Sequence, residues 1–368
     1  MMRVLGIGSD KKVFDKESAV RERQLQFSSL IDELVLVVFS LKTDKLREFK
    51  DGNLRVIPTN SESKIFYIAD GYRVAKDLPS INLISAQDPF EAGLTGVFLK
   101  WKTGARFQAQ AHTDFWNRYF IMSGPLNFLR FFLALFVLPN ADRIRVVSQR
   151  IKNLLPGIFQ KRIDVLPVFV DFSEKDAGVF DLHKKYPEFD FIILSTARLE
   201  KEKNLSLLLS SFKEALQFVP DSGLIIVGSG KEEQKLKKQA EALGIKEKVK
   251  FVGWQKDLSR YYETADLYIS TSNYEGYGLS LLEAGYYGCP IVSTNVGIMD
   301  EVFISGESAA VCAVGDKMCL SRSMVELRRF KDIRHMMGAS ARKRAQSAVW
   351  KKDDYMKRYL KLWKNCLS

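Results

Sequence analysis

The sequence predicts an α/β protein made of two Rossmann-like, doubly wound parallel-sheet domains, and three observations support this. Short apolar, β-branched runs alternate with helical patterns along the chain. Such alternation is typical of parallel sheets covered by helices on both faces. Thirteen strands can be identified, which is many for one open sheet, and 368 residues are enough for two domains.

The predicted strands form two series, one in each half of the chain. In the first half they cover residues 4–8, 34–39, 54–58, 83–86, 107–111, 144–147 and 165–169. In the second half they cover residues 191–196, 224–227, 249–252, 267–270, 291–294 and 310–314. Helical patterns separate most of them, for example at 205–218, 231–243 and 279–287.

The domain boundary is predicted after Asp171, where a strand ends and the polar segment 173–176 follows. The first domain then covers residues 1–171 and the second covers residues 172–350. Residues 351–367 show the pattern of a final helix.

The net charge of +12 is concentrated in one stretch. Residues 99–163 contain eleven Lys and Arg residues but only two Asp residues, and aromatic residues lie among them. This pattern suits an anionic membrane surface or a phosphate-bearing acceptor. A half-buried helix with a solvated basic face explains it equally well. No nucleic-acid-binding motif accompanies the charge, so nucleic acid is not expected as a partner.

The remaining composition predicts a cytoplasmic protein without a metal centre. The four cysteines show no CxxC spacing, which indicates reduced thiols, and the three histidines are scattered. No signal segment is visible at the start, and the longest charge-free apolar run, 131–138, is shorter than the ~20 residues that span a bilayer. Peripheral attachment to the inner face of the plasma membrane remains open.

Two glutamates eight positions apart, Glu275 and Glu283, lie between two predicted strands. Gly276 and Gly278 indicate a loop, and a helix is predicted to begin at Leu279. The free N–H groups at such a helix start can bind a diphosphate, and glycines let the ligand approach the backbone. A carboxylate beside them can accept hydrogen bonds from sugar hydroxyls. This segment therefore predicts a nucleotide-sugar site.

A second segment supplies cations for the same chemistry. The buried strand 191–196 leads into a loop with Arg198 and Lys203 five positions apart, followed by Asn204 as a candidate helix N-cap. When a nucleoside diphosphate leaves, fixed cations and N–H groups can stabilise the charge that develops on its phosphates.

Together the two segments resemble retaining glycosyltransferases of family 4, the group 1 glycosyl transferases, which have the GT-B fold. The family's Glu motif usually reads Pro-Ser-x-x-Glu-Gly-Phe-Gly-x-x-x-x-Glu-Ala, and this chain has Thr271 for Pro and Tyr277 for Phe. In the family's Gly-Arg-Leu-x-x-x-Lys-Gly segment, Ala197 and Asn204 replace the two glycines. The resemblance covers residues 191–315 and, more loosely, the first half.

The resemblance implies two domains facing a cleft. The C-terminal domain would bind a nucleotide-diphosphate sugar and the N-terminal domain an acceptor, with the last helix, 351–368, crossing back to the N-terminal domain. It also implies a metal-independent, retaining hexosyltransferase that uses no cofactor and takes a UDP-sugar or GDP-sugar, with UDP slightly favoured.

The resemblance also assigns roles to residues. Arg198 and Lys203 would neutralise the leaving diphosphate, Glu275 would orient the sugar, and Glu283 the ribose. His112, at the end of strand 107–111, would contact the sugar, unless it is a histidine satisfied inside the core. Together with Glu283, the expected donor-binding residues are Gly228, Trp254, Gly276, Tyr277, Gly278 and Leu279. The expected acceptor-side residues are Lys11, Lys12, Gln87 and Asp88.

We therefore predict sugar transfer to a lipid-linked or glycan acceptor in cell-envelope polysaccharide or glycolipid synthesis. One alternative is a non-catalytic peripheral membrane or nucleic-acid-binding protein with a vestigial sugar-nucleotide site. A second alternative is a GT-B sugar-nucleotide epimerase.

Overall fold

The computed structural model describes residues 2–172 and 180–368. The chain divides into two compact units. The N-terminal unit contains Met1–Val168 together with Lys351–Ser368, and the C-terminal unit contains Phe169–Trp350. The polar segment 173–176, predicted to follow the domain boundary, lies outside the described residues.

An eight-stranded sheet forms the centre of the N-terminal unit. Its strand order is β3-β4-β2-β1-β5-β6-β7-β8, and all neighbours are parallel except the β3–β4 pair. The strand order reverses beside β1, so that chain segments wind away from β1 in both directions. The strands are β1 (Arg3–Gly8), β2 (Glu33–Val38), β3 (Phe49–Asp51), β4 (Leu54–Pro58), β5 (Leu83–Ala86), β6 (Arg106–Ala111), β7 (Arg143–Val146) and β8 (Ile163–Val165).

Within the described residues, seven α-helices belong to this unit, and one of them comes from the end of the chain. They are α1 (Ala19–Ser28), α2 (Tyr67–Ala75), α3 (Glu91–Thr103), α4 (Arg118–Ile121), α5 (Pro125–Asn140), α6 (Gln149–Leu154) and α14 (Lys352–Leu367). Helix α14 buries its aromatic side chains Tyr355, Tyr359 and Trp363.

The C-terminal unit is built round a six-stranded, fully parallel sheet in the order β11-β10-β9-β12-β13-β14. Its strands are β9 (Phe191–Thr196), β10 (Ser222–Val227), β11 (Val249–Gly253), β12 (Leu267–Ser270), β13 (Ile291–Thr294) and β14 (Ala310–Cys312). The helices are α7 (Leu182–Lys185), α8 (Leu205–Ala215), α9 (Glu233–Ala242), α10 (Ser259–Thr264), α11 (Leu279–Tyr286), α12 (Lys317–Arg329) and α13 (Lys331–Ala348).

Burial explains why the central strands are so apolar. Every residue of β9 is buried, and helix α8 packs Leu205, Leu208, Leu209 and Phe212 into the same core cluster. This spacing places apolar side chains on one face of the helix. The strand order reverses between β9 and β12, which brings the loops after these two strands to the same edge of the sheet.

The structure adds one strand and one disulfide to the sequence predictions. Strand β3 pairs antiparallel with β4 through a two-residue turn at Gly52, and its three residues are too few and too polar to stand out. The expectation of reduced thiols is wrong for Cys312 and Cys319, which form a disulfide because the turn from β14 into α12 brings their Cα atoms to 5.7 Å. Cys289 and Cys366 are free and buried.

Candidate functional site

The loops after β9 and β12 are joined through Lys203 and Glu275. Lys203 Nζ lies 2.5 Å from Glu275 Oε1, and the hydroxyl of Ser272 donates to the same oxygen at 2.8 Å. The two charged side chains are only 16% and 13% exposed. The hydroxyl of Thr271 donates to the carbonyl oxygens of Lys203 and Asn204, both at 3.1 Å. An ammonium and a carboxylate are thus held together with little access to solvent.

Asn204 follows Lys203 and has a left-handed backbone, with φ of 47°. It occupies the N-cap position of α8 as predicted, but its side chain makes no capping bond and instead donates to Asn273 Oδ1 at 3.0 Å. Asparagine tolerates this conformation better than most residues, which explains how it can stand where the resembling family has glycine.

Arg198 lies on the same loop but in a different environment. Its side chain is 74% exposed and forms an ion pair with Glu202 at 2.9 Å. The structure therefore places one of the two predicted cations beside Glu275 and leaves the other at the surface.

Helix α11 begins directly after Gly278, whose φ of 91° favours glycine. Tyr277 before it is buried and accepts a backbone hydrogen bond from Ile298 at 2.9 Å, which fixes the approach to the helix. The first N–H groups of α11, beginning at Leu279, lie outside the helical hydrogen-bond pattern and carry partial positive charge. Gly276 and Glu275 precede this helix start in the same loop.

Glu283 lies further along α11 and contacts a buried tyrosine. The hydroxyl of Tyr262 donates to Glu283 Oε2 at 2.8 Å and lies 2.7 Å from Thr196 Oγ1. Burial, followed by the charge of Glu283, raises the pKa of Tyr262 well above its ordinary value, so the phenol stays protonated. A cavity of about 130 Å³ adjoins Glu283 and Tyr262, with Lys256, Ser259 and Tyr287 among its lining residues.

Two more predicted donor-binding residues lie at the same sheet edge. A Cβ atom at Gly228 would stand 1.9 Å from the carbonyl oxygen of Ala197, so only glycine fits between the ends of β9 and β10. The N–H of Gly228 donates to the carbonyl of Gly253 at 2.8 Å, and the next side chain, Trp254, is 68% exposed.

In the N-terminal unit, His112 lies just beyond the end of β6 and is exposed, so it is not enclosed in the core. Its Nε2 atom is 3.0 Å from Gln110 Oε1. Desolvation of the ring by the surrounding protein, followed by the charges of Arg145 and Arg23, lowers the pKa of His112 to about 3. The ring keeps solvent contact, which moderates its desolvation, but burial and the two arginine charges all lower the pKa of His112. The imidazole is therefore neutral at pH 7.

The four acceptor-side candidates follow the neighbouring strands β1 and β5. Lys11 and Lys12 are both exposed, and Lys11 is paired with Asp44 at 2.9 Å. Gln87 lies against Gly8 at the end of β1. Asp88 Oδ1 accepts hydrogen bonds from the N–H groups of Phe90, just before α3, and Ala92 in its first turn, and burial raises the pKa of its carboxyl to about 6.

Known proteins resemble this chain in sequence and in fold. Residues 181–344 match the family described as glycosyl transferases group 1. N-acetyl-alpha-D-glucosaminyl L-malate synthase of Bacillus anthracis is 26% identical over 57% of this chain and 56% of its own length. Alpha-monoglucosyldiacylglycerol synthase of Streptococcus pneumoniae is 25% identical over 63% of this chain and 54% of its own length. The chain thus spans about half the length of these relatives.

Solved structures resemble this chain in fold. The complex of Anabaena HepE with UDP and glucose has a TM-score of 0.76 at 16% identity and covers 99% of this chain and 100% of HepE. Sucrose-phosphate synthase from Thermosynechococcus elongatus has a TM-score of 0.80 at 18% identity, with 99% of both chains covered. The predicted GT-B fold is confirmed.

Sequence reasoning missed several polar residues of the candidate site. Ser272, which contacts Glu275, is part of the quoted family motif and could have been found there. Tyr262, which holds Glu283, is one of two adjacent tyrosines in the short helix α10 and belongs to neither predicted segment. Gln110 and Arg145, which lie behind His112, show no local signal because their importance depends on contacts far along the chain.

Proposed function

We propose that this chain is a metal-independent, retaining hexosyltransferase that takes its sugar from a UDP-sugar. The observation that carries the proposal is the pairing of Lys203 with Glu275 beside the start of α11. It combines a cation and helix N–H groups for phosphates with a carboxylate for sugar hydroxyls. A solved complex of HepE contains UDP-glucose, which supports UDP over GDP as the nucleotide.

Each site residue of the C-terminal unit would contact one part of the donor. Lys203 and the N–H groups at Leu279 would stabilise the charge of the departing UDP, and exposed Arg198 would turn from Glu202 to the same phosphates. Glu275 would accept hydrogen bonds from the sugar. Glu283, held by Tyr262, would accept hydrogen bonds from the ribose. The acceptor would then attack from the side on which UDP leaves, which retains the configuration at the reacting carbon.

The N-terminal unit would bind the acceptor at a membrane, and the surface of α5 supports this. Instead of a solvated basic face, α5 exposes a row of large apolar side chains and has one charged residue, Arg130, paired with Glu91. Such a surface is uncommon on soluble monomers, and aromatic side chains suit a lipid interface. The exposed residues are Leu126, Phe128, Leu129, Phe132, Leu135 and Phe136, with Trp101 of α3 nearby.

This surface lies within the basic stretch 99–163, and basic residues of that stretch would add attraction to anionic lipid. No helix of the described residues is long and apolar enough to cross a bilayer. We therefore propose a cytoplasmic enzyme attached to the inner face of the plasma membrane. Its acceptor would be a lipid-linked sugar or a glycan of cell-envelope polysaccharide or glycolipid synthesis.

Calorimetry with UDP and GDP, followed by a panel of nucleotide sugars, tests the proposal. We expect UDP to bind more tightly than GDP, and we expect Lys203→Ala to weaken UDP binding. We also expect slow hydrolysis of one UDP-sugar with the anomeric configuration kept. Binding without turnover on any donor and acceptor would favour the vestigial site, and conversion of the free nucleotide sugar into its epimer would favour the epimerase. If neither UDP nor GDP binds, the proposed transferase is refuted.

A further inference from the structure

The side chains behind His112 form a short hydrogen-bonded chain. Gln110 on β6 and Arg145 on β7 are buried, with 3% and 4% of their surfaces exposed. Gln110 Oε1 is 2.7 Å from Arg145 Nη1 and 3.0 Å from His112 Nε2. One amide oxygen therefore lies between a guanidinium and an imidazole.

Arg145 can only donate hydrogen bonds, and this determines the orientation of Gln110 and His112. A guanidinium can only donate hydrogen bonds, so the Gln110 atom facing it must be the amide oxygen. The amide nitrogen of Gln110 accordingly faces Ser85 Oγ at 2.8 Å and the hydroxyl of Tyr359 at 3.2 Å. Because the amide oxygen can only accept, His112 must donate from Nε2. The proton of the neutral ring then lies on Nε2, and Nδ1 carries the lone pair.

The surroundings of Arg145 also keep His112 uncharged. The guanidinium donates to the carbonyls of Leu166 and Pro167, both at 3.2 Å, and to the hydroxyl of Tyr355 at 3.0 Å. Within the described residues, the hydrogen bonds of Arg145 go to amide, carbonyl and hydroxyl oxygens and none goes to a carboxylate. Its positive charge is therefore not cancelled locally and opposes protonation of the nearby imidazole.

We propose that Arg145 and Gln110 are positioning residues that hold His112 as the neutral Nε2–H tautomer, so that Nδ1 accepts a hydrogen bond from a hydroxyl of the donor sugar. The last clause rests on the proposed function, whereas the tautomer follows from the N-terminal unit alone. A neutral acceptor suits this position because an imidazolium would repel the positive charge that grows at the reacting carbon of the sugar.

Nitrogen NMR of the ¹⁵N-histidine-labelled protein tests the tautomer directly. The chain has only three histidines, so a His112→Asn spectrum assigns the His112 signals. We expect the wild type at pH 7 to show a protonated Nε2 and an unprotonated Nδ1 at His112. An imidazolium, or a predominantly Nδ1–H ring, in the wild type would overturn the proposal whatever the variants do.

Two matched variants test the role of the amide. Gln110→Met removes the acceptor, and we expect the tautomer to become a mixture and the sugar-transfer rate to fall about tenfold. Gln108→Met changes the same residue type on the same strand, but Gln108 contacts Ser85 and not His112. We expect Gln108→Met to keep the wild-type tautomer. A wild-type tautomer in folded Gln110→Met would contradict the role of Gln110.

The guanidinium is tested by the titration of the same ring. Arg145→Met leaves the Gln110 amide in place but removes the positive charge, and we expect the titration midpoint of His112 to rise towards 6.5. An unchanged midpoint in folded Arg145→Met would contradict the role of Arg145.

Addition of UDP-sugar separates this proposal from the proposed function. If the protein turns the donor over, the Nδ1 signal of His112 should shift on binding, and an unshifted signal would refute the sugar contact. If no UDP-sugar binds while the wild-type tautomer is as expected, the proposed function fails and the arrangement of Arg145, Gln110 and His112 is upheld.

Discussion

Replacement of Lys203 by Ala should damage both stability and turnover, and the structure gives the size of each effect. Lys203 and Glu275 are a mostly buried ion pair, 16% and 13% exposed. Removal of one partner from a buried pair costs about 3–5 kcal/mol because the remaining charge is left uncompensated. Ser272 still donates to Glu275, and some solvent reaches the carboxylate, so about 2–3 kcal/mol is the expected loss here.

This loss corresponds to a melting temperature lowered by about 5–10 °C for a domain of this size. Turnover should fall at least ~100-fold, as is typical when an electrostatic stabiliser of the transition state is removed. The combined variant Lys203→Ala/Glu275→Gln separates the two effects. It removes the uncompensated charge, so part of the lost stability should return while turnover stays low.

Differential scanning calorimetry and a UDP-release assay measure both quantities, with two controls from the same loop. Lys201→Ala makes the same charge change at an exposed position, so it should alter stability by less than ~0.5 kcal/mol and turnover little. Arg198→Ala breaks only an exposed pair, so we expect lost turnover at near-normal stability. A Lys203→Ala protein with the wild-type melting temperature and rate would refute this reasoning.

Three further outcomes are expected. Gly228→Ala should destabilise the protein more than Gly244→Ala. The new Cβ would lie 1.9 Å from a backbone oxygen at Gly228, where φ is 137°, whereas the space at Gly244 is open and φ is 67°. Equal melting temperatures of the two variants would contradict the close packing at Gly228. Phe132→Ser should reduce the fraction of protein that sediments with anionic vesicles several-fold, and added salt should reduce the binding of the wild type to the same vesicles. Phe218→Ser, which changes a comparably exposed residue in the other unit, should leave vesicle binding unchanged. The pKa of His112 is about 3 in the folded protein and about 6.5 in the unfolded chain, so the unfolded chain binds more protons between these pH values. The contribution of His112 to the free energy of unfolding is therefore fully present above pH 6.5 and is lost as the pH falls towards 3. Urea unfolding of His112→Asn should accordingly depend less on pH than urea unfolding of the wild type.

The fold could be predicted from the sequence because parallel strands buried on both faces leave continuous apolar runs. Strand β9 has six buried residues and was predicted with its observed bounds. Strand β3 could not be predicted in this way because it pairs at a sheet edge through only three residues. The Gly52-Asn53 pair between the two strands is a hairpin signal that could have indicated it.

The candidate site was predictable only where its residues lie in short local segments. Glu275 and Lys203 stand in recognisable loops, and the contact between them follows from the order of β9 and β12 in the sheet. Arg145 has no such segment, because the tyrosines round it lie 210 and 214 residues further along the chain. The disulfide of Cys312 with Cys319 likewise depends on a turn that their spacing does not reveal.

The return of α14 to the N-terminal unit affects the order in which the two units can fold during synthesis. During synthesis on the ribosome, Arg145 emerges long before Tyr355 and Tyr359, which complete its hydrogen-bonded surroundings. The whole C-terminal unit is translated after Arg145 and before Tyr355 and Tyr359. The N-terminal unit can therefore begin to fold first, but it can complete its folding only after the C-terminal unit has been synthesised. A fragment ending at residue 168 would leave a buried guanidinium short of partners. A circular permutant that places residues 351–368 ahead of residue 2 would supply them at the start.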